Sequence, residues 1–146
     1  RQFGEDQVQL WRRSYDVLPP LAEKDSQFDP KTDKKYQNIN EELPLGESLE
    51  KVVERVNSTF LNLLELAKVK QVLVVAHGNS IRAMVKILDN LSNTEIVDVN
   101  IPTGIPLAYK ISESERTRIG YLGDSNKVEQ LQKEVELQSK VKEDKR

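Results

Sequence analysis

One stretch of the sequence combines residue types that can hold an anion. His77, the only histidine in the chain, precedes Gly78, Asn79 and Ser80. If a helix begins here, its first backbone N–H groups have no helical partner, and they would join the imidazole and the polar side chains in binding a phosphate or a carboxylate. The alternative is structural, with a hydrogen-bonded histidine in a turn and a helix cap at Asn79 or Ser80. The residue types alone leave both interpretations open.

The residues on either side predict a strand and a helix that would position this stretch. Residues 71–76 are almost entirely apolar and rich in β-branched side chains, which is typical of a strand buried on both faces of a parallel sheet. His77 would then lie at the carboxyl end of that strand, where open α/β sheets bind their ligands. The spacing after it predicts a helix with Arg82, Lys86 and Asp89 opposite the apolar face. The apolar positions of this helix are Ile81, Met84, Val85 and Leu88.

A second candidate for anion binding is the pair Arg12 and Arg13, near the end of a helix predicted over residues 5–14. The planar guanidinium group suits a multiply charged anion. Alternatively, both arginines are surface charges beside Trp11, at the helix end where cations are favoured. Taken alone, the pair favours the surface interpretation.

The other segments predict a loop, helices and one further strand. Residues 49–64 follow a helical apolar stripe, with Ser48 as the N-cap and Glu50 in the first turn. Residues 21–45 are polar and contain proline, so we expect a long loop. Further predictions are a short helix over 92–100 begun by the capping-box pattern Ser92-x-x-Glu95, a strand over 105–111, and a charged, flexible tail over 124–146 that starts as a frayed helix.

Composition excludes several classes of protein. The chain has 146 residues, a net charge of −2 and 37% hydrophobic residues, without a basic stripe for nucleic acid. Its longest apolar run is too short to cross a bilayer. With no cysteine and a single histidine, the sequence predicts no disulfide and no metal site of the usual zinc type, and it fits a cytoplasmic location.

The predicted strands are too few for a complete sheet. A strand as apolar as residues 71–76 needs parallel neighbours and helices over both faces, and only one other strand is predicted. The sequence therefore predicts that part of a domain lies outside this chain.

Five stretches, within residues 4–124, occur in the order found in the 2,3-bisphosphoglycerate-dependent phosphoglycerate mutases of the histidine phosphatase superfamily, which the sequence resembles. They are Trp11-Arg12-Arg13-Ser14-Tyr15-Asp16, Glu47-Ser48-Leu49, Val74-Val75-Ala76-His77-Gly78-Asn79-Ser80-Ile81-Arg82, Ile101-Pro102-Thr103-Gly104-Ile105-Pro106 and Tyr121-Leu122-Gly123-Asp124. The resemblance implies a three-layer α/β/α sandwich of the phosphoglycerate mutase type, apparently without its amino-terminal part. Residues 1–123 would be the carboxyl-terminal portion of that single domain.

The resemblance also implies an activity and site roles. The family interconverts 3-phosphoglycerate and 2-phosphoglycerate in glycolysis and gluconeogenesis, with 2,3-bisphosphoglycerate as the cofactor that primes a histidine nucleophile, and without a metal. His77 matches the histidine that stabilises the transferring phosphoryl group. Arg12 and Arg13 match substrate-binding arginines, while Gly78 and Asn79 match positions that line the phosphate site. Family members are often dimers or tetramers, so a homo-oligomer is also an expectation.

The sequence departs from the family in one large respect. It has neither the Arg-His-Gly motif that carries the nucleophile nor the Glu-Arg-His-Tyr motif that carries the proton-transfer glutamate. We therefore expect an enzyme whose nucleophile lies outside this chain, and no turnover by the chain alone. The alternative is a short, non-catalytic product that binds a phosphorylated metabolite or a partner subunit. A phosphatase of the same superfamily is disfavoured, because the stretches at 11–16 and 102–106 resemble the mutases.

Overall fold

A computed structural model describes residues 3–137 of the chain. Four α-helices, two strands and three short 3-10 helices occur within these residues. In chain order they are α1 (Glu5–Arg13), 3-10 helices at Pro30–Thr32 and Lys34–Tyr36, α2 (Leu49–Ala67), α3 (Gly78–Leu88), a 3-10 helix at Glu95–Asp98, β1 (Leu107–Ile111), β2 (Arg116–Tyr121) and α4 (Ser125–Leu137). The predicted α/β class is confirmed.

Helix α2 forms where the sequence predicts it and continues three residues further, to Ala67. The Ser48 hydroxyl accepts a hydrogen bond from the N–H of Lys51 at 3.3 Å, which satisfies a backbone donor that the first helical turn leaves free. The buried side chains recur every three or four residues and so face one side. They are Leu49, Val52, Val56, Phe60 and Leu64.

The core lies where α2 packs against α3 and the 3-10 helix at Glu95–Asp98. Leu49, Val52 and Val56 of α2 contact Ala83 of α3 and Ile96 of the 3-10 helix. Ala83 and Ile96 are completely buried. The small alanine side chain lets the two helices approach closely, and Ile96 fills the space beside them. This cluster fixes the position of α3, and therefore of the polar stretch at its start.

The predicted strand at residues 71–76 is wrong for the described part of the chain. No strand is formed there, and Leu73 and Val75 are 83% and 86% exposed. A strand requires ladder hydrogen bonds to a neighbour, and no described residue supplies that ladder. The composition of residues 71–76 suits burial on both faces, but the partners that would bury them are not among residues 3–137.

The only sheet among the described residues is the antiparallel pair of β1 and β2. Leu107 pairs with Tyr121 and Ile111 with Arg116, with an irregularity between Ala108 and Tyr109. The predicted strand over 105–111 is confirmed, starting two residues later. Strand β2 was not predicted, because charged residues and a glycine are uncommon in buried strands. In the structure Gly120 has a positive φ of +118°.

The carboxyl-terminal elements partly match the sequence predictions. The capping box forms in both directions, since the N–H of Glu95 donates to the Ser92 hydroxyl at 3.1 Å and the N–H of Ser92 donates to the Glu95 carboxylate at 2.7 Å. The helix that it begins is a single 3-10 segment. Helix α4 is anchored by the buried Val128 and by the side-chain amide of Gln132, which donates to the carbonyl of Asn100. Residues 138–146, where the predicted tail ends, lie outside the described residues, and the flexibility of 124–146 stays a prediction.

The uneven exposure of residues 71–76 gives a test of stability. In the 146-residue chain, substituting Leu73 and Val75 with serine should change the free energy of unfolding by less than about 0.5 kcal/mol, because both side chains already contact water. The same substitutions at the half-buried Val72 and Val74 should cost more than about 1 kcal/mol. Urea denaturation measures both. Equal losses of unfolding free energy for the 73/75 and the 72/74 substitutions would contradict the burial of only one side of this segment.

Candidate active site

His77 caps the amino terminus of α3. Its backbone is extended (φ −63°, ψ 148°), and its Nδ1 accepts a hydrogen bond from the N–H of Asn79 at 3.3 Å. In a neutral imidazole one nitrogen accepts and the other carries the proton, so this bond places the proton on Nε2. The ring is exposed. His77 can therefore present an Nε2–H donor to a ligand in front of the helix.

The first turn of α3 adds backbone donors to this imidazole. The helix has 11 residues, and the N–H of Ile81 makes an early helical bond, to the carbonyl of His77 at 3.0 Å. The N–H groups of the first turn point out of the helix, where its dipole is positive. A Cβ atom on Gly78 would meet nothing within 4 Å, so the space beside this residue is open. A phosphate-sized anion can approach the backbone there.

Arg82 was predicted to lie on the polar face of α3, and this prediction is wrong. Its side chain is only 6% exposed. Nη2 donates to the carbonyl of Ile96 at 2.8 Å, and Nη1 donates to Oδ1 of Asn79 at 3.4 Å. The periodicity of α3 does not reveal this burial, because the acceptor at Ile96 is 14 residues away in sequence. Arg82 is thus a neighbour of the site that the sequence analysis did not identify as functional.

The charge of Arg82 is not neutralised by any described carboxylate. The ion pairs among residues 3–137 do not include this guanidinium, and its Nε is buried without a hydrogen-bond partner. Burial and, to a lesser degree, repulsion by Arg13 lower the pKa of Arg82 to about 10. The group is still a cation at neutral pH, so α3 carries a buried positive charge in contact with Asn79.

The structure connects Arg13 to this region more firmly than Arg12. Both arginines end α1, and the N–H of Glu50 donates to the carbonyl of Tyr15 at 2.8 Å, which attaches the segment after α1 to the start of α2. Arg13 is half-buried and close enough to Arg82 to affect its pKa, whereas Arg12 is exposed. His77, Gly78 and Asn79 are contiguous, and Arg82 both contacts Asn79 and experiences the charge of Arg13.

Arg13 also lines a shallow groove of about 650 Å³ between α1, the residues around Asp98 and α4. Ser14 and Asn100 line the same groove, and each has a buried side-chain oxygen without a hydrogen-bond partner. The groove does not include His77. Arg13 therefore lines this groove and also acts electrostatically on Arg82 of α3.

The described residues form neither a cluster of metal-ligating side chains nor a membrane-spanning helix. Between residues 3 and 137, no three histidine or acidic side chains are grouped so that they could hold a metal ion. None of the helices in this range is both long enough and apolar enough to pass through a bilayer. The candidate site is the polar stretch at the start of α3.

Comparison with known proteins identifies the class to which this fold and site belong. Residues 4–117 match the family model of the histidine phosphatase superfamily (branch 1), and the chain belongs to that superfamily. It is 41% identical, over 144 residues, to a protein of Lachnoclostridium phytofermentans named 2,3-bisphosphoglycerate-dependent phosphoglycerate mutase. The match covers 96% of this chain and 58% of that relative. The resemblance inferred from the five sequence stretches is confirmed, and the chain spans little more than half the length of the relative.

Proposed function

We propose that the whole protein is a phosphoglycerate mutase that interconverts 3-phosphoglycerate and 2-phosphoglycerate, through a phosphohistidine whose nucleophile lies outside this chain. The observation that carries the proposal is the position of His77 at the positive end of α3, where its Nδ1 accepts from Asn79 and leaves Nε2–H as a donor, while the buried Arg82 contacts the same Asn79. The 41% identity to a mutase supports the same activity.

In this proposal, His77 and α3 stabilise the phosphoryl group during its transfer. The transferring group carries negative charge on three equatorial oxygens, and catalysis depends mainly on positioning and on stabilising that charge. The Nε2–H of His77 donates to one oxygen, while first-turn N–H groups of α3 other than that of Asn79, which already donates to His77 Nδ1, face the others. These donors are fixed before the substrate binds, so little reorganisation accompanies the reaction.

Arg12 and Arg13 are proposed to bind the other anionic groups of the substrate. A phosphoglycerate carries a carboxylate and a phosphate, which match the planar fork of a guanidinium. Arg13 acts electrostatically on Arg82, and Arg12 is exposed. Gly78 and Asn79 are proposed to line the phosphate position beside His77.

The proposed cofactor, 2,3-bisphosphoglycerate, has two phosphates and a carboxylate, and the donor set fits such a polyanion because the buried Nε of Arg82 is unpartnered and the space beside Gly78 is open. When bound, it supplies the phosphoryl group that primes the nucleophile. This chain's residues bind and orient anions, and none of them is proposed as nucleophile or proton-transfer group. We accordingly propose that the chain alone is inactive, and that the whole protein is cytoplasmic and homo-oligomeric.

The proposal is tested on the native protein purified from its source. Conversion of 3-phosphoglycerate to 2-phosphoglycerate should depend on added 2,3-bisphosphoglycerate. Intact mass and peptide mapping should give a product heavier than 16.7 kDa that contains an Arg-His-Gly peptide. A product of 16.7 kDa that begins at Arg1 and lacks this activity would refute the mutase and leave the non-catalytic binding product.

A further inference from the structure

Arg82 connects the start of α3 to a distant part of the chain. Its two terminal nitrogens donate to Asn79, three residues earlier in the same helix, and to the carbonyl of Ile96. Ile96 is completely buried in the core. The guanidinium therefore has a rigid support on one side and a residue of the proposed phosphate site on the other.

The hydrogen bond to Asn79 determines which way its amide group faces. A guanidinium can only donate, so the atom of Asn79 that contacts it must be the carbonyl oxygen Oδ1. The amide nitrogen Nδ2, which carries two donors, must then face away from Arg82. Since the side chain of Asn79 is exposed, these donors are available to an anion in front of α3.

The charge of Arg82 supports the same role. A buried cation without an ionic partner loses hydration that hydrogen bonds to neutral oxygens replace only in part. Arg13 acts on the charge of Arg82 by repulsion, and the Nε atom of Arg82 has no hydrogen-bond partner. A purely structural link to Ile96 would not require a buried positive charge, whereas a phosphate bound nearby would be stabilised by one.

We propose that Arg82 is a positioning residue of the phosphate site, which orients the Asn79 amide towards the anion and holds a fixed positive charge behind it. The inference rests on the proposed function, because it takes the start of α3 as the place where phosphate binds. It adds a residue that does not itself contact the reacting group. Arginine is required because a lysine cannot reach Asn79 and Ile96 together from a single nitrogen with the same geometry.

The experiment measures binding of inorganic phosphate to the native-length protein by isothermal titration calorimetry, so it does not depend on turnover. Arg82→Met removes both hydrogen bonds and the charge, and should raise the Kd for phosphate about tenfold or more. Arg82→Lys keeps the positive charge but loses the guanidinium that donates to Asn79 and Ile96 together, and should still raise the Kd for phosphate severalfold. Arg55→Met is the matched control, since Arg55 is an exposed arginine of α2 paired with Glu47, and its Kd should equal that of the wild type.

A double-mutant cycle with Asn79→Ala separates positioning from general stability. If Arg82 acts largely through Asn79, Arg82→Met should weaken phosphate binding much less in the Asn79→Ala background than in the wild type. A melting temperature that falls while the phosphate Kd stays within about twofold of the wild type would show a merely structural role and overturn the inference. If Arg82→Met does not fold, an unchanged Kd in Arg82→Lys has the same meaning.

The proposed function and this inference can fail separately. If the wild-type protein lacks mutase activity but Arg82→Met still weakens phosphate binding, the proposed function fails and the role of Arg82 stands. If the wild type is an active mutase and Arg82→Met binds phosphate normally, only the inference fails. Absence of any phosphate binding by the wild type would overturn the inference as well.

Discussion

Replacing His77 with alanine should lower kcat for the mutase reaction of the native-length protein by about 10²–10³-fold, with a much smaller change in KM. Removing one hydrogen-bond donor that stabilises negative charge in the transition state typically lowers kcat by this factor. The Nε2–H group is proposed to act most strongly on the phosphoryl group in the transition state, so its loss raises the barrier more than it weakens substrate binding. Steady-state kinetics in both directions measures the effect.

A second variant separates this role from the cap of α3. His77 also accepts a hydrogen bond from the N–H of Asn79, and alanine would remove that cap together with the donor. Asparagine is a favourable N-cap residue, but its side chain is too short to place a donor where Nε2 lies. His77→Asn should therefore keep the melting temperature of the wild type and lose activity as His77→Ala does. Full activity in His77→Asn would refute the donor role and leave the structural interpretation.

Replacing Ile96 with alanine should lower the free energy of unfolding by about 3 kcal/mol, within the range found for deleting buried methyl groups. Ile96 is completely buried between α2 and α3, so the substitution leaves a cavity that the packed helices cannot fill without moving. Urea denaturation of the 146-residue chain measures the change, with the slope m kept free in the fit.

Ile119→Ala is the matched control for this prediction. Ile119 lies on β2 and is 64% exposed, so the same deletion there should cost less than about 1 kcal/mol. Ile96→Ala retains the backbone carbonyl that accepts from Arg82, so any change at the phosphate site would arise from movement of the backbone. Equal costs at positions 96 and 119 would mean that the helices do not form the core described above.

The helices were predictable because their signals are local. Apolar residues recur every three or four positions along α2, which is a signal contained in the helix itself. The cap at Ser48 and the capping box at Ser92 likewise satisfy backbone groups no more than three residues away. The stretch His77-Gly78-Asn79-Ser80 was also found from the sequence, since the residues that matter are consecutive. Once α3 begins at Gly78, His77 becomes its N-cap and Asn79 lies in its first turn, without any contact from distant residues.

Features that depend on distant partners were not predictable in the same way. Residues 71–76 have the composition of a buried strand, but strand formation requires a neighbour, and none of residues 3–137 pairs with them. Strand β2 was missed for the opposite reason. Its polar residues do not suggest a strand, yet pairing with β1 satisfies its backbone groups.

The superfamily, helices α1, α2 and α3 and the candidate anion-binding residues could be inferred from the sequence, because each is signalled by short stretches of consecutive or helically spaced residues. The folded structure was needed to reveal that Arg82 is buried, that it contacts both Asn79 and Ile96, and that Arg13 but not Arg12 adds to its electrostatic environment. Those facts depend on the packing of α1, α3 and the 3-10 helix at Glu95–Asp98, which brings together groups that are many residues apart.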